Sequence, residues 1–228
     1  MNCKDLAGTA GILPAGSLKQ PKGWHCRGYK PHFDSPELLQ FITFRLSDSM
    51  PAGLIEAWKQ KLKLKPKQER ETELRSRILK YIDLGHGQCF LKDDRVAELV
   101  EEALLHRDGE HYRLRAWVIR PNHVHALIEV MPGRQLHEII HSWKSFTASM
   151  ANRLLGRVGP FWYREYDDRF IRNVQHYENV VACIHHNPVK VRCCEQPHHR
   201  RWSSAWRLNG RFVEKLSEPA GRMPAVPD

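Results

Sequence analysis

Hydrophobic and polar positions alternate most regularly between Arg115 and Val130, where Trp117-Val118-Ile119 leads into Arg120-Pro121-Asn122 and then His123-Val124-His125-Ala126-Leu127-Ile128. β-branched and aromatic residues on both sides of a Pro-Asn pair predict two strands joined by a tight turn, because Pro121 cannot donate to a ladder. Side chains on a strand alternate between faces. His123 and His125 therefore share one face, and Val124, Ala126 and Ile128 share the other.

Leu39 to Leu46 alternates as a first strand, closed by Ser47-Asp48-Ser49-Met50-Pro51, and a helix is expected from Leu54. The basic run Lys59 to Lys67 is broken by Pro66 and followed by charged residues to Lys80, so about 59–80 reads as a solvated, locally flexible insertion. Asp93 or Asp94 caps a helix with Val96, Leu99, Val100, Ala103 and Leu104 at three- and four-residue spacing, ended by Gly109. A longer helix, about 135–155, carries the stripe Leu136, Ile139, Ile140, Trp143, Thr147, Met150 and Leu154. Phe161 to Arg172 reads as an irregular strand, too polar to be buried and so bordering a site. The last helix, about 174–186, is expected to stop at Pro188. Tyr177, Val180, Val181 and Ile184 form its core face, and Cys183 and Asn187 stand one turn apart on a neighbouring face.

This order of elements predicts an α+β fold, a ferredoxin-like antiparallel sheet with helices packed mainly on one face and extensions at both ends. We divide the chain into a basic N-terminal arm at 1–36, a catalytic domain at 37–190 and a basic C-terminal tail at 191–228 that wraps or is disordered. In the arm, Trp24, His25, Arg27 and Tyr29 interleave aromatic and positive groups, which suits packing or stacking on a base.

Charge narrows the partner. With 36 Lys and Arg against 26 Asp and Glu, a formal net charge of +10 favours a polyanion, nucleic acid first. No apolar run reaches membrane-spanning length and the N-terminus has no basic-then-apolar leader, so a cytoplasmic protein is expected. Six cysteines without a CxxC pair argue against a disulfide framework, and the vicinal Cys193 and Cys194 with His198 and His199 do not make the usual zinc knuckle. Two histidines on one face of a strand are half of a metal site. A histidine-triad nucleotide hydrolase would need a third histidine where Leu127 stands.

Several stretches together resemble the REP-associated tyrosine transposases, relatives of the single-tyrosine insertion-sequence transposases marked by His-hydrophobic-His. They are Gly23-Trp24-His25 with Arg27-Gly28-Tyr29, Phe41 to Arg45, Trp117-Val118-Ile119 with Pro121 to His125, Trp143 to Thr147, Tyr166 to Arg169 with Ile171-Arg172-Asn173, Ile184 to Lys190, and Trp202 to Ala205. The resemblance implies metal-dependent cleavage and transfer of single-stranded or hairpin DNA. It implies Mg²⁺ or Mn²⁺ held by His123, His125 and Asn187, and a tyrosine four residues before the polar ligand that attacks the phosphorus.

At that position this chain has Cys183. A Cys183 thiolate, Tyr163 or Tyr166 are alternatives as nucleophile; Tyr177 lies about 240° around the helix from Cys183 and points elsewhere. A cleavage-deficient DNA-binding relative is the other reading. Lys144, Arg169, Arg172 and Lys190 are expected to contact phosphates. Pairing with a second copy is left open.

Overall fold

The computed structural model describes residues 38–207 and, as backbone, the strands β1 (Gly23–Cys26) and β2 (Pro31–Asp34). These two strands pair antiparallel, with Trp24 opposite Phe33 and His25 opposite His32. The arm, read from sequence as lacking any strand period, therefore contains a small sheet. Arg27 and Tyr29, and the side chains of Trp24 and His25, lie outside the described residues.

The main sheet has the order β4 (Tyr112–Ile119), β5 (His123–Val130), β3 (Leu39–Arg45), β6 (Asp167–Phe170), and all neighbours are antiparallel. The fold is α+β, with the strand order of two interleaved βαβ units. The turn between β4 and β5 falls at Arg120-Pro121-Asn122, as the alternation predicts, and a register shift at Arg115 bends β4.

Helix α3 (Asp94–Leu105), capped by the Asp93 carboxylate on the Arg95 amide, and α4 (Leu136–Leu154) cover one face. Their apolar stripes meet Ile42 and Phe44 of β3 and Val124, Ala126 and Ile128 of β5 in the larger core. The opposite face carries Phe41, Ala116, Val118 and Leu127, and α5 (Val174–Lys190) lays Tyr177, Val180, Val181 and Ile184 onto it. That is the histidine face. α5 runs through Pro188 to Lys190, beyond the stop expected from sequence: a proline near a helix end removes one backbone donor without preventing the last turn from closing.

The stretch expected as a flexible insertion is instead mostly helical. α1 (Leu54–Lys61) and α2 (Lys67–Asp83) pack Leu54, Ile55 and Trp58 against Leu74, Ile78 and Ile82 in a third, smaller core with Met50. Leu74, Ile78 and Ile82 recur every four residues, a narrow stripe that the flanking Lys, Arg and Glu residues obscure in the sequence. Arg75 ties α2 to β6 through the Asp167 carboxylate at 2.9 Å.

The C-terminal tail wraps the exposed edge of β4. The Ile119 amide donates to the Trp202 carbonyl at 2.8 Å, the Trp117 amide donates to Ser204 Oγ at 3.0 Å, and Trp202 is buried in the larger core. Covering an edge strand removes a template for pairing with another chain. Residues beyond 207 lie outside the described part.

Candidate metal centre

His123 and His125 project from β5 toward α5 with both rings buried. Their Nε2 atoms are 3.1 Å apart, and Asp83 Oδ1 is 3.4 Å from His123 Nε2. One ligand atom from each of these three residues lies within 4.8 Å of the others. The far ring nitrogens are also held: His123 Nδ1 is 2.8 Å from Asn122 Oδ1, and His125 Nδ1 is 2.8 Å from Thr43 Oγ1.

These contacts fix what the nitrogens can do. An amide oxygen only accepts, so His123 Nδ1 carries the hydrogen and the Nε2 of the neutral ring offers a lone pair. Thr43 can accept from His125 Nδ1 in the same way, turning a second lone pair toward the first. Burial pushes both imidazoles below their usual value, and the nearness of His123 adds to this for His125. Both rings therefore stay neutral, the form that ligates metal.

Asp83 supplies the negative charge. Burial works against its ionised form, but the neighbouring His123 and the donating Asn187 amide outweigh this and hold its carboxyl at about 2. Asn187 reaches the site from the last turn of α5 and donates Nδ2 to Asp83 Oδ1 at 3.0 Å, while its own Oδ1 is buried without a hydrogen-bond partner. Two nitrogen lone pairs, a carboxylate and an orphaned amide oxygen converge here. This donor set fits a divalent cation with mixed nitrogen and oxygen ligands.

Asp83 escaped the sequence reading because it closes a charged helix with no motif of its own. Asn122 and Thr43 escaped it because nothing in a Pro-Asn turn or a strand threonine announces a partner to histidine. Asn122 has a double role: its Nδ2 donates to the His86 carbonyl at 2.9 Å, anchoring the loop that follows Asp83. Gly87 brings that loop against Asp48 at φ +90, where an added Cβ would stand 2.8 Å from the Asp48 carbonyl oxygen.

The remaining candidates distribute around this centre. Cys183 is half-buried one turn before Asn187, and Arg169 lies within electrostatic range of both Cys183 and His125. Arg169 Nε is buried without a hydrogen-bond partner. Arg172 and Lys190 are exposed at the two ends of α5. Lys144 is committed to the carbonyls of Tyr163 and Arg164, both at 2.7 Å, and burial pushes its ammonium down to about 8.

The tyrosines differ in placement. Tyr166 is in the core on the other face, and Tyr177 is buried against the sheet. Tyr163 stacks under the Arg45 guanidinium, 3.6 Å from its ring centre, and lines a small cavity with Thr43 and Asp167. Among the described residues, Cys193, Cys194, His198 and His199 form no metal-ligand cluster.

Residues 90–187 match the family model of IS200-like transposases. Comparison with curated protein sequences finds no match. Among solved structures, the chain is similar to a REP-associated tyrosine transposase bound to a REP hairpin, with a TM-score of 0.54 and 15% sequence identity over 88% of this chain and 95% of that one. That likeness is one of fold.

Proposed function

From the match of residues 90–187 to the family model of IS200-like transposases, we propose a metal-dependent enzyme that binds hairpin or single-stranded DNA and cleaves and transfers one strand. The observation that carries this reading is the convergence of His123 and His125 Nε2 with Asp83 and the orphaned Asn187 Oδ1. A Mg²⁺ or Mn²⁺ held by these residues would supply Lewis-acid polarisation of a phosphate and a template for its orientation.

The chain's own groups do the rest. Asn122 and Thr43 keep the imidazoles in ligating tautomers, and Asp83 stays ionised across the physiological range. Arg169, within electrostatic range of His125 and Cys183, would hold the strand over the centre, with Arg172 just ahead of α5 and Lys190 at its end as further phosphate contacts. Lys144 would reach a phosphate only by leaving its carbonyl partners. In the cutting mode Cys183 Sγ forms the bond to the 5′ phosphorus, the bond to O3′ breaks, and the departing oxygen takes up a proton.

Cys183 also supports a second reading, a hairpin-DNA binder that does not cut, since a thiol stands where the resemblance implies a tyrosine. Nicking of hairpin oligonucleotides with Mn²⁺ separates the two, using the native chain beside Cys183→Tyr and His123→Ala. Cutting by the native chain that His123→Ala abolishes supports the enzyme. Cutting only by Cys183→Tyr supports the binder. Cutting by neither, on DNA that is bound, refutes the catalytic geometry.

A further inference from the structure

Arg120 is the largest fully buried side chain among the described residues, 2% exposed, and its Nε and Nη1 have no hydrogen-bond partner. It follows Ile119 at the end of β4, and alternation turns it to the face that carries the histidines; it lies within electrostatic range of both His123 and His125. Its other charged neighbour is a second cation. Arg200, from the wrapped tail, donates Nε and Nη2 to the Ile119 carbonyl at 3.1 and 2.7 Å and lies in electrostatic range of Arg120.

A buried guanidinium ordinarily has a carboxylate in front of it, because an ion taken out of water without a counter-charge is strongly disfavoured. None bonds Arg120. Asp94, near Arg200, is occupied by the Trp202 indole N–H at 2.7 Å. The Cys194 thiol is close to both arginines, but burial pushes its pKa up and keeps it neutral. Two adjacent cations therefore border the metal centre, Arg120 with two unpartnered donors, and among the described residues no carboxylate bonds Arg120.

We infer that Arg120, backed by Arg200, is an anion site beside the metal centre that takes oxygens of a phosphodiester in the bound DNA strand. The planar fork of a guanidinium matches two oxygens of one phosphate, and the missing partners of Nε and Nη1 are what such a group supplies. This rests on the DNA reading above and adds to it a contact that no sequence motif suggested.

Inorganic phosphate is the first probe, with binding to the full chain read by thermal shift and calorimetry for the native protein, Arg120→Met and Arg120→Lys. The native chain should bind phosphate, Arg120→Met should weaken binding about tenfold or more, and Arg120→Lys should fall between. In phosphate-free buffer Arg120→Met should melt at a higher temperature than the native chain, since it removes a buried unpaired charge. Hairpin DNA is the second probe: Arg120→Met should lower the magnitude of the logarithmic salt dependence of binding by about 1, with Mn²⁺ binding unchanged.

A native chain that ignores phosphate, or an Arg120→Met protein that binds it as well as the native chain, overturns the site. Phosphate binding lost without change in DNA affinity or salt dependence overturns its assignment to the strand. Failure to bind hairpin DNA at all would count against the DNA reading, while the phosphate arms still decide whether Arg120 holds an anion.

Discussion

His123 Nε2 and His125 Nε2 stand 3.1 Å apart, each ring held from behind by an oxygen of a different element, Asn122 in the turn and Thr43 on β3. Two lone pairs at that distance repel unless a cation or a shared proton joins them, so the pair could hold a metal ion. Mn²⁺ titration followed by electron paramagnetic resonance should show one tight site in the native chain and none in His123→Ala. Asp83→Asn and Thr43→Val should each weaken it by about tenfold or more, the first by removing a charge and the second by freeing the ring. Unchanged affinity in Asp83→Asn would remove α2 from the site.

Helix α2 carries Asp83 to the histidines, and the Arg75–Asp167 ion pair is one of its ties to the sheet. Arg75 is more than a third exposed, so Arg75→Ala should cost less than about 1 kcal/mol of global stability. It should nevertheless weaken Mn²⁺ binding by loosening the helix that presents the carboxylate. Unchanged Mn²⁺ binding would mean that α2 is held by other contacts.

Cys183 shares its helix face with Asn187. Cys183→Ala should leave hairpin affinity and Mn²⁺ binding unchanged while abolishing any cleavage by the native chain, a separation of binding from chemistry visible in gel shift beside nicking. Residual cleavage in Cys183→Ala would direct attention to Tyr163, on the same side of the sheet.

His185 is buried on α5 and hydrogen-bonds Ser204 Oγ at 2.9 Å, joining the helix to the wrapped tail. Burial, helped by the charge of His186, pushes its imidazole down to about 4. Its folded value lies below its unfolded one, so its contribution is fully present above about pH 6.5 and is lost as pH falls toward 4, amounting to about 3 kcal/mol. Urea unfolding across this window should show the decline, and His185→Gln should flatten it. Some slope will remain, because His123 and His125 are shifted in the same direction.

Trp202 fills the larger core and donates its indole N–H to Asp94. Trp202→Ala should destabilise the protein by about 3–5 kcal/mol. By releasing the strand that covers β4 it should also promote self-association, detectable by light scattering.

The alternation in Leu39–Arg45 and in the His123–Val130 strand was legible because a strand with one face in the core repeats every two residues, and the α3, α4 and α5 stripes because a packed helix repeats every three to four. The shared face of His123 and His125 was legible from strand alternation, while Asn187 was named only through the family resemblance. Residues 67–83 misled because their charged residues mask a stripe one residue wide, whose helix becomes evident only when it packs on α1.

The sequence by itself determined the strands of the main sheet, the main helices and the two histidines on one face, since these follow from local periodicity and identity; the departure at Cys183 shows only beside the family that the chain resembles. Only the tertiary structure decided the rest. Asp83 is 40 residues before His123, Thr43 belongs to a neighbouring strand and Arg120 is left without a counter-charge. These relations depend on which surfaces the fold brings together and which polar atoms it leaves unanswered, and no repeat along the chain encodes them.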